Sequence, residues 1–317
     1  DTGAIILTGE AIRRDNARAI ADVLAAQRGN FVCASAGHNF EALLSAHGSG
    51  AVALSAERQC RVLNIDIGGG TTKLAVAERG KVLSTAAFHV GGRLLAMDEA
   101  GAISVLEPGG QSLAHQVGFQ WRLGDRVTAA QIERLADHMA RAILTLVRDE
   151  KLAPELEGLW LTPALRGAKS YDAVVFSGGV GEYVYGKESN SFGDLGEPLG
   201  KALQGLINSG AFAWPLAPAR ECIRATVMGA AQHTIQVSGN TIYRSNDELL
   251  PRKNLQALRP PVDLSDNIDP STLAEAIISH FQVFDLKEGE AEVALVFRWD
   301  GPPAAIRIAA FCRGLMD

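Results

Sequence analysis

The stretch with the clearest chemistry is residues 64–76, which read NIDIGGGTTKLAV. A carboxylate, Asp66, lies in an apolar run and is followed by three consecutive glycines and two threonines. Glycines let another group come close to the peptide N–H groups of the turn. A row of converging N–H groups binds anions, and most often phosphate. The residue types therefore predict a phosphate-binding turn, with a plain glycine turn as the alternative.

Strands are predicted on both sides of these glycines. The approach to the turn is apolar, and the residues after it alternate between two faces, as in a strand. Residues 82–88 follow Arg79-Gly80, where a glycine suits the tight turn of a hairpin. The motif is not a Walker loop, which needs Gly-Lys-Ser/Thr running into a helix. We expect strand, glycine turn, strand and strand, with Asp66 pointing into the mouth of the turn.

A second informative stretch is residues 171–185, which read YDAVVFSGGVGEYVY. Residues 173–176 are continuously apolar, as in a central strand that is covered on both faces. Ser177-Gly178-Gly179 then turns the chain at the carboxyl end of this strand, where ligands of open α/β sheets bind. We interpret this turn as the place for a nucleotide base or ribose; a plain strand-to-helix turn is the alternative.

Weaker patterns predict some of the remaining elements. Thr128 and Gln131 form a capping-box pattern ahead of an amphipathic helix. The pair Gly91-Gly92 before an apolar run predicts a turn into a helix, and residues 222–227 predict a strand. Residues 48–59 are rich in small side chains that would let a helix lie close to its neighbour.

Composition bounds the class of protein. A chain of 317 residues with 47% hydrophobic content and a formal charge of −6 suits an α/β protein of two or three lobes. It has no basic block for nucleic acid and no apolar run near the roughly 18 residues that span a bilayer. Cys33, Cys60, Cys222 and Cys312 form no CxxC pair, which favours reduced thiols in a cytoplasmic protein and argues against zinc.

Five segments together resemble the ATPase superfamily that includes actin, Hsp70 and the sugar kinases. IDIGGGTTKLAV resembles its second phosphate motif, and VVFSGGVGEY resembles its adenosine motif. GSGAVALS and ATVMGAAQ are similar to its two connecting helices, and residues 89–92 resemble the HLGG turn of Hsp70. Within the superfamily the chain resembles the EutA family, on DTGAIILTGEA, NIDIGGGTTKLAV, VVFSGGVGEYVYG, ATVMGAAQHTIQVSGNTIY and VALVFRWDGPP.

The resemblance implies an α/β fold with actin/Hsp70-like (ribonuclease H-like) ATPase lobes. Residues 1–60 would be the rest of the first lobe with a connecting helix, 61–238 the second lobe, and 239–317 a truncated C-terminal α/β region. The chain begins at Asp1, and the family's first phosphate loop, Asp-x-Gly-Thr-Thr, has no counterpart. We therefore expect a fragment that lacks this loop. The acid that precedes the first connecting helix of Hsp70 is also missing near residues 49–50.

The resemblance also implies roles for individual residues. Asp66 is expected to be catalytic and to hold Mg²⁺ through water, since phosphoryl transfer depends mainly on positioning and charge neutralisation. Lys73 is either a further phosphate ligand or a solvated lysine. The expected ATP ligands are Gly68, Gly69, Gly70, Thr71 and Thr72 for the phosphates, and Gly178, Gly179 and Val180, with Ser177 beside them, for adenosine.

The implied function is that of an ATP-dependent, chaperone-like factor that releases damaged cobalamin from ethanolamine ammonia-lyase. ATPase activity is expected of the full-length protein. Cobalamin is expected on the partner enzyme, because no Asp-x-His-x-x-Gly motif occurs here. Two alternatives remain open, a sugar or acyl kinase and a protein-binding module without nucleotide turnover. We expect a cytoplasmic protein and leave open a homo-oligomer and an association with a bacterial microcompartment.

Overall fold

The computed structural model describes residues 2–7, 30–35, 37–148, 154–165, 170–232, 255–265, 267–287, 289, 292–302 and 304–316. The chain divides into two units, Glu41–Gln232 and, separately, Asp1–Phe40 with His233–Asp317. The predicted division at residues 60 and 238 stays a prediction. The described elements are, in chain order, β1 (Thr2–Leu7), β2 (Asn30–Ser35), α1 (His38–Gly48), α2 (Ala51–Arg58), β3 (Arg61–Ile67), β4 (Thr72–Glu78), β5 (Lys81–Phe88), β6 (Leu95–Met97), β7 (Ile103–Leu106), α3 (Pro108–Gln116), α4 (Ala129–Arg148), α5 (Pro154–Glu157), β8 (Ala173–Ser177), α6 (Gly178–Val184), α7 (Gly196–Asn208), α8 (Ala225–Gln232), β9 (Gln256–Leu258), α9 (Pro270–Val283), β10 (Val293–Leu295) and α10 (Ala305–Met316).

A four-stranded sheet organises the unit Glu41–Gln232, in the order β5-β4-β3-β8. Strand β3 pairs antiparallel with β4 and parallel with β8, and β4 pairs antiparallel with β5. The register sets Asp66 opposite Lys73 on one side and Ser177 on the other. The predicted strand–turn–hairpin arrangement and the α/β class are therefore confirmed.

The core of this unit covers both faces of its central strands. All of β8, and β3 beyond its first residue, is buried, which explains their continuous apolar sequences. Helix α4 packs a stripe of side chains into this core, namely Ile132, Leu135, Met139, Ile143, Leu146 and Val147. The helix follows a confirmed capping box, in which the Thr128 amide donates to Gln131 Oε1 at 2.9 Å and the Gln131 amide to Thr128 Oγ1 at 3.3 Å.

Two predicted elements are wrong, and neighbouring strands explain both. After Gly91-Gly92 the chain forms strand β6 rather than a helix, because β6 finds an antiparallel partner in β7. Residues 222–227 form a turn and the start of α8 rather than a strand. The free edge of β8 is already taken by the segment 215–217, whose Ala217 amide donates to Val174 O at 2.8 Å.

Helices α1 and α8 approach each other until their backbones touch. A Cβ at Gly48 would lie 1.8 Å from Ala225 O, and one at Gly229 would lie 1.9 Å from Leu44 O. Small residues therefore do permit a close helix pair, as residues 48–59 predict. The helix that makes this approach is α1, which ends at Gly48, and not α2 within the predicted stretch.

The second unit holds two parallel strand pairs, β1 with β2 and β9 with β10. Helix α9 is capped by Asp269, whose Oδ2 accepts from the Thr272 amide at 2.9 Å. Asp285 accepts from Asn39 Nδ2 at 2.8 Å and from the Phe40 amide at 2.9 Å. Among the residues described, we find no helix with the length and apolarity required to cross a bilayer.

The contact between α1 and α8 predicts the effect of one methyl group. Gly229→Ala should lower the free energy of unfolding by roughly 1–3 kcal/mol, because the new Cβ meets backbone that has no room to move. Gly205→Ala in α7 is the matched control, since a Cβ there meets nothing within 4 Å. It should be neutral or stabilise by about 0.5–1 kcal/mol. Urea denaturation measures both, and equal losses would refute the tight contact.

Candidate functional site

The carbonyls of the glycine turn are tied to the chain that follows β5. The Gly92 amide donates to Gly68 O at 2.9 Å, and the Arg93 amide donates to Gly69 O at 2.6 Å. Across the turn the Gly68 amide donates to Thr71 O at 3.0 Å. These bonds hold the turn in one conformation with its carbonyl oxygens facing the protein.

The amides of the same turn are available to a ligand. Within the described part of the chain, the N–H groups of Gly69, Gly70 and Thr71 donate to no acceptor. Gly69 and Gly70 are exposed, and a Cβ at residue 70 would meet nothing within 4 Å. Three successive free N–H groups on a fixed turn form the kind of concavity that binds anions.

The second glycine turn lies directly beside the first. Gly178 has φ +79°, and a Cβ there would lie 2.2 Å from Ile67 O, so glycine meets both a backbone and a space requirement. Its amide donates to Cys222 O at 2.9 Å. One glycine turn follows the carboxyl end of β3 and the other follows that of β8. Because these strands are parallel neighbours, the two turns are in contact with each other, as the sequence predicts.

Asp66 lies beneath both turns. It is 3% exposed, and the Ser177 hydroxyl donates to its Oδ1 at 2.7 Å. Asn64 Nδ2 donates in turn to Ser177 Oγ at 3.2 Å. Burial raises the pKa of the Asp66 carboxyl, while the nearby Lys73 ammonium and the Ser177 hydroxyl oppose the shift. The charged form of this buried carboxyl thus depends on its neighbours.

Lys73 is neither solvated nor free. Its Nζ lies 2.5 Å from Glu41 Oε2, and the two side chains are 12% and 4% exposed. The ammonium also lies 3.8 Å from where a Cβ at Gly68 would be, so it reaches the underside of the glycine turn. The solvated-lysine alternative is therefore wrong, and a role as phosphate ligand stays a prediction.

Glu41 is the site residue that the sequence analysis missed. The resemblance to Hsp70 predicts an acid just before α2, near residues 49–50, whereas the carboxylate comes from the first turn of α1. The available signal was an acid followed directly by Ala-Leu-Leu in an apolar helix, which implies a buried charge that needs a partner. Its partner, Lys73, faces the same way as Asp66 across the β3–β4 ladder.

Other predicted ligands are placed behind the surface of the turns. The Thr72 hydroxyl is buried and donates to Val90 O at 2.7 Å. Val180 is buried against the position of a Cβ at Gly92, and Ser177 is fully buried. Gly179 is half-buried beside the exposed Ile223. The structure brings every predicted residue to one region, but the solvent-facing groups are the backbone of 68–71 and Gly179.

The Glu41–Lys73 pair predicts a double-mutant signature. Glu41→Gln or Lys73→Met alone should cost about 3–5 kcal/mol in the free energy of unfolding, because each leaves a buried charge without its partner. The double variant Glu41→Gln/Lys73→Met should be more stable than either single variant. Urea denaturation of the four proteins checks this, and a double loss equal to the sum of the single losses would contradict the pairing.

The raised pKa of Asp66 predicts how stability depends on pH. The stability that the protonated carboxyl contributes is present below its ordinary pKa of 3.8 and is lost as pH rises through the raised value. Asp66→Asn removes this loss, so the stability of the variant relative to the wild type should rise as pH increases above the ordinary pKa of 3.8.

Glu188→Gln is the matched control for this pH series. Amide donors at Asn190 and Ser189 lower the pKa of Glu188, so its ionised form is the one that folding favours. The variant should therefore lose stability relative to the wild type as pH rises from the lowered pKa to the ordinary value of 4.5, and should show no further change above it. Thermal melts at several pH values measure both trends, and parallel curves for the two variants would rule out the buried charge.

Comparison with known proteins places the chain in a family. The family Ethanolamine utilisation protein EutA matches residues 1–317. The chain is 38% identical over 267 residues to the ethanolamine ammonia-lyase reactivase EutA of Salmonella typhimurium, covering 83% of this chain and 56% of that protein. It is 36% identical over 270 residues to the reactivase of the same name from Escherichia coli, covering 84% and 56%. The chain thus spans about half the length of the curated relatives it matches.

Solved structures that align with the backbone of this chain have lower sequence identities than these relatives. MreB5 of Spiroplasma citri bound to ADP aligns with a TM-score of 0.37 and 15% identity, over 72% of this chain and 67% of that one. The ethanolamine utilization protein EutJ from Carboxydothermus hydrogenoformans aligns with a TM-score of 0.34 and 18% identity, over 73% and 65%. The sequence relationship carries the assignment: this chain belongs to the EutA family of ethanolamine utilisation proteins.

Proposed function

We propose that this chain is part of an ATP-dependent reactivating factor of ethanolamine ammonia-lyase. The nucleotide phosphates would bind the glycine turn at residues 68–71, and adenosine would bind the turn at residues 177–179. The observation that carries the proposal is the row of free amides beside a second glycine turn, at the carboxyl ends of β3 and β8. Membership in the EutA family supports the partner, and the motif order supports actin/Hsp70-like lobes.

The residues present fit a polyphosphate. The free N–H groups of Gly69, Gly70 and Thr71 supply donors, and the Lys73 ammonium lies under the turn in its pair with Glu41. Residue 70 is the middle one of these three donors, which form the phosphate cradle, and a Cβ there would meet nothing within 4 Å in the free protein. Gly179 and the exposed Ile223 offer an uncharged surface for the nucleoside end.

The donor set also fits Mg²⁺ held through water. Among the described residues, no group of three or more His, Cys, Asp and Glu side chains comes together, so Asp66 would act as a single carboxylate. Mg²⁺ characteristically binds one or two carboxylates together with substrate phosphates and retained waters. When bound, Mg·ATP supplies the transferable phosphoryl group and neutralises its charge. Glu41, fixed by Lys73, would share with Asp66 the orientation of the attacking water.

The proposed biological role follows from the family. Nucleotide turnover here would drive release of damaged cobalamin from the ammonia-lyase, so that intact cofactor can enter. The cobalamin would stay on the partner enzyme throughout. We place this work in the cytoplasm, with a bacterial microcompartment as the setting to be examined, because ethanolamine utilisation names the family.

Nucleotide binding by the 317-residue chain tests the site. Isothermal titration with Mg·ATP should give saturable binding that Gly70→Ala weakens by about tenfold or more, because its methyl enters the cradle without a clash in the free protein. Asp66→Asn should weaken Mg·ATP binding but leave Mg-free ATP much less affected. Gly205→Ala is the control and should bind as the wild type does. Equal affinities for the Gly70 and Gly205 variants would contradict the cradle.

A reactivation assay separates the proposed role from its alternatives. Ethanolamine ammonia-lyase inactivated with cyanocobalamin should regain activity when the protein, ATP, Mg²⁺ and adenosylcobalamin are added together, and not when ATP is omitted. ATP turnover that rises only with an added sugar or acyl acceptor would indicate a kinase. A chain that binds no nucleotide yet binds the ammonia-lyase would indicate a protein-binding module.

A further inference from the structure

Arg93 is a cation beside the glycine turn. Its amide donates to Gly69 O at 2.6 Å, and its Cβ lies 3.4 Å from the position that a Cβ at residue 69 would occupy. The side chain is 62% exposed. Its backbone is therefore fixed against the turn, while its side chain is largely exposed to solvent.

The guanidinium is only loosely held. Among the residues described, its ionic partner is Asp194, with Nη1 and Oδ2 3.9 Å apart, which is close to the limit of an ion pair. A solvent-exposed pair of this length contributes little to stability. Moving Arg93 away from Asp194 therefore costs little.

The charges of Lys73, Glu41 and Asp66 beneath the turn favour a second cation for phosphate binding. Lys73 lies 2.5 Å from Glu41 and is buried, so most of its charge is already compensated. The Asp66 carboxyl adds a further acid under the same turn. A polyphosphate that settles on the free amides would meet little uncompensated positive charge from this side of the turn.

We propose that Arg93 exchanges Asp194 for the nucleotide phosphates when the glycine turn is occupied, and so acts as the phosphate-sensing residue of the site. This inference rests on the proposed function. Guanidinium binds phosphate through two parallel N–H groups and makes shorter and stronger bonds than it makes with a carboxylate at 3.9 Å. The exchange is thus favoured by geometry as well as by charge.

The exchange would also change the charge of a groove outside the site. Asp194 is bound at its other oxygen, where Oδ1 accepts from the Gly196 amide at the start of α7 at 2.9 Å. The same carboxylate lines a groove of about 760 Å³ between α4 and α7, together with Glu197 and Lys201 on the α7 side. When Arg93 moves from Asp194 to the phosphates, the Asp194 carboxylate loses its partner and this end of the groove becomes more negative. The charge of the groove would therefore differ between the free and the nucleotide-bound protein.

The test is a binding cycle at two positions with three probes. Mg·ATP, inorganic tripolyphosphate and adenosine are titrated into the wild type, Arg93→Gln, Asp194→Asn and the double variant. Arg93→Gln should weaken ATP and tripolyphosphate binding by about tenfold and leave adenosine unchanged. Asp194→Asn, which keeps an oxygen for the Gly196 amide, should strengthen phosphate binding because it removes the competitor. In the Arg93→Gln background it should have no effect.

Arg122→Gln is the charge control, since Arg122 is an exposed arginine of the same unit that lies outside the site. It should bind all three probes as the wild type does, and thermal melts should show all variants folded. If the wild type binds ATP and Arg93→Gln binds it equally well, the phosphate-sensing inference is overturned and the nucleotide site stands. If the wild type binds neither ATP nor tripolyphosphate, both proposals fail together.

Discussion

The pairing register of β3 is the constraint on which the site depends. Asp66 stands opposite Lys73 of β4 and Ser177 of β8, so one strand joins a carboxylate, an ammonium and a hydroxyl. A slip of β3 by one residue would turn Asp66 to the opposite face of the sheet, away from Lys73 and Ser177. The core resists such a slip, because it would exchange Leu63, Ile65 and Ile67 of the apolar cluster for the polar Asn64 and Asp66. The core therefore determines the electrostatics of the turns above it.

Close backbone contacts fix the glycine turn that follows β3, so that its free amides form an exposed cradle. A Cβ at Gly91 would lie 2.3 Å from Gly69 O, and one at Gly178 would lie 2.2 Å from Ile67 O. Both contacts hold backbone against the end of β3, so the turn at 68–71 has little freedom and its amides stay presented to solvent. A ligand meets a preorganised set of donors, which lowers the ordering cost of binding.

Local patterns in the sequence predicted the parts of the site that depend on local chemistry. Alternation around the glycines and the apolar run before Ser177 identified β3, β4 and β8, and Thr128 with Gln131 identified the start of α4. Local pattern marks Glu41 as a buried acid but does not identify its partner, Lys73, and the strand β6 depends on the distant β7. The strand predicted at residues 222–227 was wrong for the same reason, because residues 215–217 already occupy the edge of β8.

The most direct test of the cradle is the response of its amides to a nucleotide. In an NMR titration with Mg·ATP, the amide resonances of Gly69, Gly70 and Thr71 should shift and saturate together, since these N–H groups have no acceptor in the described structure. The amide of Gly210, in the turn after α7, should not move. Saturable ATP binding that leaves the three amides of the glycine turn unchanged would contradict the account.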